Sequence, residues 1–78
     1  MSWNYRVIRR VVNDETMFAV HEAYYNAPGD ERPHSITVEP VTPVGNTIEE
    51  LREAICRFSE SLSKPVLDHD GQWETRDA

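Results

Sequence analysis

The feature that most constrains this 78-residue sequence is the stretch from Thr47 to about Ser63. Ile48, Leu51, Ile55, Phe58 and Leu62 recur at alternating spacings of three and four, which is one apolar stripe on an α-helix, and Ala54 widens it. Thr47-Ile48-Glu49-Glu50 has the pattern of a capping box, in which the Thr47 hydroxyl accepts from the amide of Glu50 and the Glu50 carboxylate reaches back. Glu49 and Glu50 also stand at the positive end of the helix dipole. Glu49, Glu53, Glu60, Arg52 and Arg57 form the wet side, with Glu53 and Arg57 paired one turn apart. Lys64-Pro65 stops the helix, because the residue before proline avoids helical angles. A helix with one greasy side needs a partner layer to cover it.

The partner layer comes from two β-rich runs. Trp3 to Val12 and Thr16 to Tyr25 carry β-branched and aromatic residues without Gly or Pro. Asn13-Asp14 between them is turn chemistry, so the two runs predict a hairpin. A two-residue turn pairs Val12 with Glu15, Arg9 with Phe18, Val7 with Val20, Arg6 with His21 and Trp3 with Tyr24. One face then collects Trp3, Tyr5, Val7, Val11, Phe18, Val20 and Tyr24. The other collects Arg6, Ile8, Arg10, Met17, Ala19, His21, Ala23 and Tyr25. A three-residue loop would instead pair Arg6 with Glu22 and Ile8 with Val20, inverting the faces. The first register is preferred because it gathers more large apolar side chains for the helix to cover.

Asn26 to Pro33 reads as a loop, and Ser35 to Glu39 as a short third strand stopped by Pro40 and Pro43. Pro65-Val66-Leu67 could add a short edge strand. The fold class is therefore α+β: a three-stranded antiparallel sheet with one long helix on one face, in the order β-β-β-α-(β). The folding unit spans residues 2–67. Residues 68–78 are expected to form a flexible acidic tail, since Trp73 is its one large apolar residue.

Composition narrows the function classes. Fourteen acidic residues against eight Lys and Arg give a formal charge of −6, which argues against whole-surface binding to nucleic acid or an anionic membrane. No apolar run approaches the ~20 residues that span a bilayer. The first residues lack the apolar core of a secretory signal, so a cytoplasmic location is expected. The single Cys56 excludes an internal disulfide and any multi-cysteine zinc site.

Four blocks of the sequence are similar to a family of small, functionally uncharacterised bacterial proteins. They are Trp3-Asn4-Tyr5-Arg6-Val7, Val20-His21-Glu22-Ala23-Tyr24-Tyr25, Gly45-x-Thr47-x-Glu49-Glu50-Leu51 and Lys64-Pro65-Val66-Leu67. The resemblance covers about residues 2–67 and implies a compact α+β domain without a stated activity. More remotely, the element order resembles the HicB-type antitoxin domain, a truncated ribonuclease-H-like fold of three strands, helix and strand. Gly45-x-Thr47-x-Glu49-Glu50 is similar to the glycine-threonine-glutamate start of the helix in those domains. That resemblance implies an inhibitor that masks a basic toxin.

Candidate chemistry is sparse. His21 and Glu22 are neighbours on a strand, so they point to opposite faces and cannot share a proton. Asp68-His69-Asp70 lacks the rigid frame a metal needs, and Cys56 has no histidine three or four residues away. We expect no enzyme, metal or cofactor. The residues that stand out as a binding set are Arg6, Ile8, Arg10, His21 and Tyr25, which share the sheet face that a single helix leaves uncovered. Arginines beside a tyrosine suit a phosphate, a carboxylate or a stacked RNA base, while Ile8 and Tyr25 suit a protein surface. The expected function is a non-enzymatic protein-interaction module acting through that open face, as a homodimer or with another protein. The alternatives are a HicB-like inhibitor and weak RNA binding through the Arg6/Arg10 face.

Overall fold

A computed structural model describes residues 2–69 and 73–76. Strands β1 (Ser2–Val12) and β2 (Glu15–Tyr25) form the hairpin, followed by β3 (Ser35–Thr37), helix α1 (Ile48–Ser61), β4 (Leu67–Asp68) and β5 (Glu74–Arg76). The sheet is five-stranded and mixed, in the order β4-β1-β2-β3-β5. β1, β2 and β3 are antiparallel neighbours, whereas β4 runs parallel to β1 and β5 parallel to β3. The architecture is α+β as the sequence implies. The purely antiparallel three-stranded sheet is corrected to a mixed sheet with a short parallel strand on each edge.

Asn13 and Asp14 both take left-handed backbone angles, with φ of 51° and 67°. Two successive left-handed residues make the turn whose twist matches that of the flanking strands. It fixes the two-residue register: Val12 opposite Glu15, Val7 opposite Val20 and Trp3 opposite Tyr24. Strand β3 ends at Thr37, short of Glu39. There the Thr37 hydroxyl accepts from the Glu22 N–H at 3.3 Å, and backbone bonding to β2 resumes only at Val41, whose N–H donates to the Val20 carbonyl at 2.9 Å.

Helix α1 starts as the capping pattern requires. The Glu50 N–H donates to the Thr47 hydroxyl at 3.1 Å, and the Glu50 carboxylate accepts from the Asn46 N–H at 2.7 Å. Gly45 lies so close over the first turn that a Cβ there would stand 2.6 Å from the Leu51 nitrogen. The helix covers the Trp3/Tyr5/Val7 face, with the Phe58 ring 4.6 Å from that of Tyr5. It does so along the row Leu51, Ala54, Phe58 and Ser61. Ile48, Ile55 and Leu62, the other edge of the predicted stripe, are turned to the exterior.

The opposite face is not open. Ile8, Ala23, Tyr25 and Ile36 form the apolar core there, together with Trp73 and the partly buried Leu67. Leu67 stands beside Ile8 through the β1–β4 pairing, and Trp73 leads into β5 at the far edge. The segment from residue 68, expected to fray, thus contributes part of β4, all of β5 and a core aromatic. The physical reason is that Trp73, although set among acids in the sequence, is a large apolar group that packs with Ile8, Ala23, Tyr25 and Ile36. The expectation for residues 70–72, 77 and 78 lies outside the described residues.

Candidate functional site

The register places Arg6 opposite His21, with Ile8, Arg10 and Tyr25 on the same face, as the sequence arrangement implies. The closure of that face changes what they can do. Ile8 and His21 are almost wholly buried, Tyr25 is buried in the core cluster, and Arg10 is half-buried. Arg6 is only 7% exposed. They do not form an exposed cationic or apolar patch, so the open binding face is corrected to an interior layer with two separate polar clusters.

The first cluster surrounds Arg6. Its guanidinium donates to the Tyr25 hydroxyl at 3.0 Å and to the Pro65 carbonyl at 2.6 Å. Tyr25 in turn donates to the Asn4 side-chain oxygen at 2.9 Å. Among the described residues the Arg6 Nε–H has no acceptor, and no carboxylate pairs with this guanidinium. A cleft of about 760 Å³ opens onto Arg6 and Tyr25 between the start of β1, the Pro28–Glu31 loop and the Pro65–Leu67 segment. Asn4 was legible in principle, because it sits diagonally across from Tyr25 on the same face. Pro65 was not, since its carbonyl reaches Arg6 from 59 positions away.

The second cluster centres on His21. Its Nδ1 lies 3.0 Å from the Thr37 carbonyl, a bond that needs the proton on Nδ1, and 3.3 Å from the Thr37 hydroxyl. Burial lowers the His21 pKa below its ordinary value, and the charges of Arg10 and His69 act in the same direction. The bond to Thr37 and the charge of Glu39 oppose the shift without cancelling it. His21 is thus an interior group bonded to Thr37, whose cation is disfavoured above all by burial. Glu22 points to the other face, and the two share no bond.

Other groups singled out in the sequence stay apart. Arg9 faces the helix side and pairs with Asp68 at 3.1 Å. Cys56 is exposed on α1. His34 pairs with Glu74 at 3.1 Å, and the Arg32 guanidinium lies 4.8 Å from the centre of the Trp73 ring. Among the described residues no three His, Cys, Asp or Glu side chains are placed to hold a metal. No described helix is long and apolar enough to cross a membrane. The chain matches no protein-family model, no curated protein and no solved structure.

Proposed function

We propose that this chain is a non-enzymatic protein-interaction module that pairs with a second copy of itself through the outer edge of α1. The observation that carries the reading is the row Ile48, Ile55 and Leu62, exposed by 57%, 50% and 73% at seven-residue spacing. Val44 beside the helix start, and Val11 and Phe18 on the same face of the sheet, are likewise mostly exposed. Six exposed apolar side chains are surface of the kind that association covers, at ~800 Å² for each partner of a stable pair. A single domain of this size gains from such pairing, because its own core is small.

A two-fold pairing with the helices antiparallel sets Ile48 of one copy against Leu62 of the other and Ile55 near its own mate. It also brings the acidic first turn, Glu49 and Glu50, toward the C-terminal end with Lys64, whereas a parallel pairing would stack acid on acid. The partner surface is therefore the helix side and not the sheet face beneath Trp73. A cytoplasmic location belongs to the same reading.

The exposed Cys56, adjacent to Ile55, supplies the test. A short bis-maleimide should link two copies in the wild type, and sedimentation should give a mass rising toward twice the monomer's with concentration. Ile55→Asp should abolish both while leaving the circular dichroism spectrum unchanged. A wild-type monomer at millimolar concentration with no cross-link contradicts the proposal. A second reading, an inhibitor that covers a basic protein, draws on the net charge of −6 and on the β-β-β-α-β order of the first five elements. Co-purification with a small basic protein, abolished by reversing the acidic charges, would favour it.

A further inference from the structure

The Arg6 cleft raises a question that self-pairing does not answer. A buried guanidinium is ordinarily paired, because an isolated charge away from water is costly. The described acceptors of Arg6, the Tyr25 hydroxyl and the Pro65 carbonyl, are both neutral, and its Nε–H has none. The cleft that opens onto this cation has a volume of about 760 Å³, within the range of small-molecule sites. Trp3, Pro65 and Leu67 give it apolar wall, while the acidic residues Asp30 and Glu31 line the same cleft from the loop.

The loop carrying those acids is held in place. The Asp30 N–H donates to the Ala27 carbonyl at 3.2 Å, and the Asp30 carboxylate accepts from the Ala27 N–H at 3.0 Å. Gly29 between them has a φ of 91°, which its lack of a Cβ permits. One cleft is thus lined by a cation on the sheet and by two acidic residues on a closed turn. A plain anion such as phosphate would meet Arg6 but be repelled by Asp30 and Glu31. A plain cation would face the reverse conflict. A molecule with a carboxylate at one end and an ammonium at the other satisfies both.

We propose that this cleft binds a small amino acid or comparable zwitterion, with its carboxylate on Arg6 and its ammonium toward Asp30 and Glu31. The carboxylate supplies a counter-charge that no described residue gives Arg6, and guanidinium–carboxylate pairing is directional and strong. The Tyr25–Asn4 chain fixes the hydroxyl beside Arg6, so the cation is positioned before the ligand arrives.

The test is a nitrogen-15 NMR titration of the whole chain. Glycine, 4-aminobutyrate and 6-aminohexanoate serve as rulers of charge separation, with butyrate and inorganic phosphate as plain anions. One of the amino acids should move the Arg6 Nε–H, Tyr25 and Gly29 resonances saturably, and bind at least about tenfold more tightly than butyrate or phosphate. Arg6→Gln should abolish the response. Because that change removes a buried side chain and risks unfolding, the exposed pair Asp30→Asn/Glu31→Gln decides the matter. It should erase the advantage over butyrate while the fold persists. No saturable shift with any amino acid at about 50 mM, far above a specific affinity, overturns the proposal. So does equal or tighter binding of butyrate or phosphate, or an advantage that survives the double substitution.

Discussion

Replacing Trp73 by alanine probes the closure of the sheet most severely. The indole is 8% exposed and packs among Ile8, Ala23, Tyr25 and Ile36. Truncating a buried aromatic to alanine costs about 3–5 kcal/mol. Loss of the Arg32 guanidinium over the ring adds about 0.5–1 kcal/mol. One contribution has the opposite sign: the indole Nε1–H has no acceptor among the described residues, so its removal relieves a desolvation penalty of about 1–3 kcal/mol. With mid-range values the net loss is about 3 kcal/mol. A 78-residue domain at ~0.05–0.15 kcal/mol per residue has about 4–12 kcal/mol in total, so this loss removes a large share of it. Urea unfolding followed by far-ultraviolet circular dichroism reads the effect. With a slope of ~1 kcal/mol per molar, the midpoint should fall by about 3 M. Trp3→Ala, at a residue 47% exposed, provides the comparison and should cost clearly less. A Trp73→Ala midpoint within about 0.5 M of the wild type would refute the packing argument, because no core aromatic is so cheaply lost.

Two further outcomes follow from local geometry. Gly45→Ala should destabilise by about 1–3 kcal/mol, lowering the melting temperature by at least ~4 °C, since its Cβ would stand 2.6–2.8 Å from backbone and Cβ atoms of Glu50 and Leu51. An unchanged melting temperature would mean that the Gly45 approach to the helix is not tight. The His21 pKa is lowered in the fold, so the unfolded chain binds the proton more readily. Stability is then level above the ordinary value of 6.5 and falls as pH drops through it toward the folded value. Urea midpoints between pH 8 and pH 5 should show this fall, and His21→Gln should flatten it. A wild-type profile without the fall would mean that His21 accepts its proton in the folded state.

Much of this structure was legible because it is set locally. Asn13-Asp14 determines a turn of defined hand, and that turn determines the register over all eleven pairs of the hairpin. Thr47 and Glu50 mark the helix start through bonds no more than four residues long. What could not be read was which surfaces would be dry. Both hairpin faces carry large apolar groups, and Ile8 and Tyr25 on the arginine-bearing face suited an interface as well as a core. The choice is made by Trp73, whose sequence neighbours are acidic and whose partners Ile8 and Ile36 lie far away along the chain. The helix illustrates the same limit. Its stripe of three-and-four spacing was visible, but which edge turns inward depends on where Phe58 meets Tyr5. The candidate site fared likewise: Arg6 and Tyr25 were brought to one face as expected, yet their partner at Pro65 and the loop acids at Asp30 and Glu31 arrive from elsewhere.

The central claim is that Trp73, together with Leu67, closes the sheet face opposite the helix. Trp3→Phe leaves Trp73 as the single tryptophan and makes its environment directly visible in fluorescence. The account predicts a blue-shifted emission that acrylamide quenches weakly in the folded protein, and that shifts red and becomes quenchable across the urea transition. A red emission, quenched in buffer as readily as in urea, would contradict it.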